Sequence, residues 1–83
     1  MKKSIYTREY TAVLRLLKQA RKEAGITQVE LAKKLQLTQS LLSKMERGEL
    51  RLDIIQLRSI CHILGLTLGG FVKCLELELT NHV

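Results

Sequence analysis

Placed at 100° steps, Tyr10, Val13, Leu14, Leu17, Ala20 and Ala24 gather on one arc, while Arg15, Lys18, Gln19 and Lys22 face away. This pattern predicts an amphipathic helix over residues 10–24. Gly25 closes it, since a helix end commonly takes the left-handed conformation that glycine adopts without strain. Thr27-Gln28-Val29-Glu30 opens a second helix as a capping box, in which the Thr27 and Glu30 side chains satisfy amides the helix leaves unpaired. Leu31, Ala32 and Leu35 form its inner face. Gln36-Leu37 has room only for a tight turn. Thr38 then caps a third helix that runs to about Arg47 and stops at Gly48. Leu41, Leu42 and Met45 share a narrow arc of this helix, and Gln39, Ser40, Ser43, Lys44 and Arg47 share the opposite one.

After the connecting stretch Glu49-Leu50-Arg51-Leu52, Asp53-Ile54-Ile55-Gln56 repeats the capping box for a fourth helix. Ile54, Leu57, Cys61 and Leu64, or their neighbours, are its expected inner face, and Gly65 closes it. Thr67 caps a fifth helix, in which Leu68, Phe71, Val72, Leu75 and Leu79 follow i, i+3, i+4, i+7, i+11 spacing. Gly69-Gly70 weakens its start by about 1 kcal/mol per glycine relative to alanine. Residues 75–80 also alternate with period two, so a short strand pairing with a second subunit competes with the helix. The elements predict an all-α, five-helix domain: an arm over 1–9, a folded body over 10–79 and a tail over 80–83. A single core and a radius of gyration of roughly 12 Å suit a chain of this size.

Charge adds a direction to this outline. The net charge is +6, yet residues 1–58 hold thirteen basic and six acidic side chains, whereas 59–83 hold Lys73 against Glu76 and Glu78. A basic front suits a polyanionic partner such as a nucleic acid. With 4% aromatics and no tryptophan, a stacking platform for single strands is excluded. Met1-Lys2-Lys3 is not followed by an apolar run, and the uncharged stretch 59–72 is too short to span a bilayer. The expected location is therefore cytoplasmic. The opening three residues read as a disordered arm, or as one touching phosphate or groove.

Cys61 and Cys74 lack metal-ligand spacing and read as small buried hydrophobes. No metal, disulfide or cofactor is expected. His62 lies inside helix 4 and His82 in the tail, neither beside a carboxylate pair, and no glycine-rich phosphate loop or nucleophile context is present. Catalysis is not expected.

Helix 3 carries the candidate chemistry. A major groove about 12 Å wide admits one helix and displays hydrogen-bonding base edges on its floor. Gln39 has the amide geometry for adenine N6/N7, Lys44 can donate to guanine O6/N7, and Ser40 and Ser43 are short enough for close approach. Two charges stand where apolar residues belong: Arg21 between Tyr10 and Leu14 on helix 1, and Glu46 beside Leu42 on helix 3. Unpaired they would be costly, so they are expected to meet as a partly buried ion pair.

Residues 14–72 resemble the phage-repressor-type helix-turn-helix family, also called XRE-like or Cro/C1-type. The matching run is Leu17, Arg21, Gly25, Thr27-Gln28, Leu31-Ala32, Leu35, Ser40, Ser43-Lys44-Met45-Glu46-Arg47-Gly48 and Leu64-Gly65-Leu66. The stretch 39–53 is further similar to small stand-alone bacterial regulators. Where such relatives usually hold glycine between helices 2 and 3, this chain has Gln36, so either a left-handed non-glycine residue is tolerated or the turn differs. The resemblance implies a lambda-repressor-like fold with the helix-turn-helix at helices 2 and 3. It also implies that Thr38, Gln39, Ser40, Ser43 and Lys44 approach base edges and that Thr27 and Gln28 bond a phosphate at a helix N-terminus. Arg47 and Arg51 are candidates to hold the backbone from the other side.

The function so implied is a sequence-specific double-stranded DNA-binding transcriptional regulator, expected to repress as a homodimer on a palindromic operator. Half-site centres would lie about 34 Å apart. Leu68, Phe71, Val72, Leu75 and Leu79, over about 68–79, are the dimerisation candidates. The alternative is an antitoxin or restriction-modification controller that also binds a protein partner through its C-terminal segment.

Overall fold

Each of the five helices starts at a side chain that can accept a backbone hydrogen bond. A computed structural model describes residues 7–81 and places α1 at Arg8–Glu23, α2 at Gln28–Leu35, α3 at Gln39–Glu46, α4 at Ile54–Ile63 and α5 at Leu68–Thr80. Thr7, Thr27, Thr38, Asp53 and Thr67 are the N-caps, accepting from the amides of Tyr10, Glu30, Leu41, Gln56 and Gly70. The boxes at Thr27/Glu30 and Asp53/Gln56 are complete in both directions. Because Thr7 caps α1, the helix begins at Arg8 and takes in two residues the sequence assigned to an arm. Met1-Lys2-Lys3 and His82 lie outside the described residues.

The helix ends follow one pattern. At Gly25, Gly48 and Gly65, each with positive φ, the glycine amide bonds a carbonyl three residues back and the next amide bonds one five residues back. Gln36 does the same at φ 60°, ψ 39°: its amide reaches Lys33 O at 3.1 Å and that of Leu37 reaches Ala32 O at 2.9 Å. The turn between α2 and α3 is thus the closure glycine would make, built on a residue that is strained there by about 1–2 kcal/mol.

Leu17, Leu31, Ala32, Leu42, Ile60, Cys61, Leu64 and Phe71 form the core. α2 packs on α3 and α4, α1 on α3 and α5, and α4 on α5. The radius of gyration is 12.4 Å. Three sequence expectations move. Ile54 is 58% exposed, because the first turn of α4 projects beyond the core and Ile60 fills the place instead. Leu41 lies at the end of its arc and faces outward, and Ala24 is exposed as the C-cap beyond the last turn of α1. Cys61 is buried but Cys74 is exposed, since α5 turns the arc of Leu68, Phe71, Leu75 and Leu79 inward and Cys74 lies beyond its edge. The fifth helix runs through residues 75–80 as the i, i+3, i+4 spacing predicts and the competing strand does not form, so that Phe71, Leu75 and Leu79 face the body of the domain together. No single helix among the described residues is long and apolar enough to cross a membrane.

Candidate nucleic-acid interface

The predicted ion pair forms the floor of the site. Arg21 Nε and Nη2 donate to the two Glu46 carboxylate oxygens at 2.7 and 3.2 Å, and Nη1 donates to the Ile26 carbonyl at 2.9 Å. The two side chains are only 9% and 10% exposed. A carboxylate so placed is pushed up by burial. Hydrogen bonds from Arg21 and Gln28, with the charges of Arg21 and Lys18, outweigh that and hold Glu46 below its ordinary value. No buried side-chain polar atom among the described residues lacks a partner.

From this pair a polar thread leads outward. Gln28 Nε2 donates to Glu46 Oε1 at 2.9 Å, and Gln39 Nε2 donates to Gln28 Oε1 at 3.2 Å. Gln28, expected at a phosphate, is therefore also the strut that joins the first residue of α3 to the buried pair. A carboxamide has two N–H donors and two acceptor sites on its oxygen, so both glutamines keep donors and acceptors for a ligand. Nothing in the sequence marks this contact, because a polar residue on a helix surface looks the same whether it faces water or a neighbour.

On α3, Gln39, Ser40 and Lys44 are exposed and Ser43 is half-buried. The side chains of Ser40 and Lys44 make no hydrogen bond or ion pair among the described residues, whereas Thr38 is engaged in capping. At the far end of α3, Arg47 Nε donates to Glu49 at 2.9 Å and Arg47 Nη1 donates to the Ser43 hydroxyl. The pairing raises the Arg47 pKa and lowers that of Glu49. Arg51 lies over the Tyr10 ring, 4.6 Å from its centroid, and the Tyr10 hydroxyl accepts the Leu52 amide at 2.8 Å. Helix 1 thereby anchors the loop that presents Arg51. Thr27 is occupied by its box, whose hydrogen bonds from the Thr27 amide and hydroxyl lower the Glu30 pKa.

The dimerisation candidates divide. Phe71 is buried in the monomer's own core, which corrects its assignment to an intersubunit face. Leu68, Leu75 and Leu79 are half-buried, and Val72 is 38% exposed. Leu77, 57% exposed, is apolar surface the heptad-like spacing passed over. Arg15 pairs with Glu78 and ties α1 to α5. Among the described residues no group of His, Cys, Asp and Glu could hold a metal ion.

A helix-turn-helix family model matches residues 17–71, which is most of the chain and includes α2, the turn and α3. The chain belongs to the XRE-like helix-turn-helix family. Among solved structures it is similar to an XRE-family like protein from Pseudomonas syringae pv. tomato, with 42% identity, a TM-score of 0.83, and 92% of this chain and 93% of that one covered. It is also similar to the clp gene regulator ClgR from Corynebacterium glutamicum, with 25% identity, a TM-score of 0.71 and coverage of 92% and 85%. A comparison with curated proteins finds no match. As an XRE-like protein, the chain is a DNA-binding transcription regulator rather than an enzyme.

Proposed function

We propose that this XRE-like regulator represses transcription by occupying a palindromic operator as a homodimer, with α3 in the major groove of each half-site. The observation that carries the reading is the polar arc of Gln39, Ser40, Ser43 and Lys44, of which Gln39, Ser40 and Lys44 are exposed and Ser43 is half-buried. With one amide hydrogen held by Gln28, Gln39 offers its second hydrogen and its oxygen to adenine N7 and N6. Lys44 donates to guanine, while Ser40 and Ser43 permit close approach. The amide-rich start of α2, at Thr27 and Gln28, takes a phosphate. Arg51 takes another and so sets register rather than sequence, while Arg47 is held by Glu49.

One domain of this size buries little DNA, which favours a two-fold assembly. The acidic, apolar α5 supports that role through Val72 and the half-buried Leu68, Leu75 and Leu79, since two copies meeting there avoid juxtaposing their basic fronts. Selection from a random duplex pool tests the reading. The expected product is an inverted repeat with half-site centres about 34 Å apart, bound with log affinity falling by about 0.9 per log salt for each phosphate neutralised. No enriched sequence, or binding indifferent to salt, overturns it. Sedimentation showing only monomer, with and without the selected duplex, removes the dimer.

A further inference from the structure

Arg47 at the end of α3 is held on two sides. Its Nε and Nη2 donate to the two carboxylate oxygens of Glu49 at 2.9 and 3.3 Å, and its Nη1 donates to the hydroxyl of Ser43. The arrangement depends on Gly48, whose positive φ turns the chain back and lets the Glu49 amide bond the Lys44 carbonyl at 2.8 Å. All three groups lie at the edge of the polar arc, and the Arg47 and Glu49 side chains are 54% and 47% exposed.

Two chemical consequences follow. A serine hydroxyl has one proton and two acceptor sites. Once it accepts from Arg47, its own proton points elsewhere, so Ser43 faces the groove as a donor suited to acceptors such as guanine O6/N7, adenine N7 or thymine O4. Second, a guanidinium gripped by a carboxylate is a poor phosphate ligand. Arg47 reaches the DNA backbone only by leaving Glu49 or by bringing that carboxylate beside a phosphate, and either route costs affinity on every sequence alike.

The geometry points to Glu49 as a positioning residue for discrimination: acting through Arg47, it orients Ser43 for base reading and restrains sequence-independent attachment to the backbone. This rests on the reading of α3 as the helix that enters the major groove. Its effect is largest on DNA that lacks the operator.

The test is Glu49→Gln in the full chain, with fluorescence anisotropy on the selected operator and on a scrambled duplex across a salt series. The variant is expected to bind scrambled DNA more tightly at low salt, with a salt slope steeper by about 0.9, the equivalent of one further phosphate contact. Between 50 and 200 mM salt this is an additional change of about three- to fourfold. The ratio of operator to scrambled affinity falls, and selection with the variant shows a relaxed base preference at the Ser43 contact. In an Arg47→Ala background, Glu49→Gln should change neither slope nor ratio. Unchanged slope and ratio in the single variant overturn the proposal. So does an equal gain in the Arg47→Ala background, which would mean simple repulsion by the carboxylate. If the wild-type chain selects no sequence, the reading of α3 fails and this inference with it. If the wild-type chain selects a sequence and Glu49→Gln leaves its discrimination intact, only the role of Glu49 fails.

Discussion

Glu46→Ala should be the most damaging single truncation in this domain for its size. The change leaves the Arg21 guanidinium, in a side chain 9% exposed, with one remaining hydrogen-bond acceptor at Ile26 O, 2.9 Å away. Breaking a buried pair by removing one partner costs about 3–5 kcal/mol. A chain of 83 residues has only about 4–12 kcal/mol of stability to lose at 0.05–0.15 kcal/mol per residue. The melting temperature should fall by at least about 12 °C, taking the low end of both the energy and the 4–8 °C per kcal/mol expected of small domains. Arg21→Ala should behave similarly. Replacing both partners with apolar residues, Arg21→Met with Glu46→Leu, should return stability to near or above the wild type, since such exchanges are neutral or favourable by about 1–4 kcal/mol. The double variant should still bind operator poorly, because Gln28 loses the carboxylate that orients it. Urea titrations followed by circular dichroism measure the stability terms, with Arg21→Met and Glu46→Leu also made singly to close a double-mutant cycle. A loss below about 0.5 kcal/mol in either alanine variant would refute the reasoning, because no buried charge could then have been stranded.

The same pair sets an acid limb. Glu46 titrates below the ordinary 4.5 when folded, so its contribution is fully present above that value and fades as pH falls through the folded one. Glu46→Gln should flatten the stability profile below about pH 4.5, and an unchanged profile would count against it. Gln36→Gly should be neutral to stabilising by about 0.5 kcal/mol, since relief of the left-handed strain exceeds the added freedom of the unfolded chain. Gln36→Val should lose at least about 1 kcal/mol, as a branched side chain fits that conformation worst; equal melting temperatures for the two would be inconsistent with the turn described. Lys44→Ala should leave melting unchanged and cost about 1–3 kcal/mol of discrimination at one operator base pair, read by competition binding. Val72→Glu, at a position already 38% exposed, should keep the monomer folded while abolishing self-association in sedimentation; a dimer that survives it uses another face.

Helix boundaries were legible because their causes are local. A hydroxyl three residues before an amide, or a glycine after the last turn, can be found without knowing the fold, and Thr27, Thr38, Asp53, Gly25, Gly48 and Gly65 act where they were expected. The Arg21–Glu46 pair was legible for another reason: a charge on an apolar arc is an anomaly that demands a partner. Rotation of a helix within the fold was less so. Ile54 and Ile60 are the same residue type, and only the placement of α4 against α2 and α5 decides which is buried. Cys74 faces outward for the same reason. The thread from Glu46 through Gln28 to Gln39 had no anomaly to announce it, since glutamines on a helix surface are ordinary. The Arg47–Glu49 contact spans only two residues, yet it depends on the turn at Gly48, which residue spacing alone does not draw in three dimensions.

That thread also divides the reading helix into parts that can and cannot change independently. Gln39 is tied through Gln28 to an ion pair on which the fold depends, so a substitution there disturbs a strut as well as the proposed base contact. Ser40 and Lys44 are exposed and play no part in that thread. New operator preferences can therefore arise by drift at these two positions at little risk to folding, which makes them the natural sites for diverging copies of such a gene to escape each other's promoters.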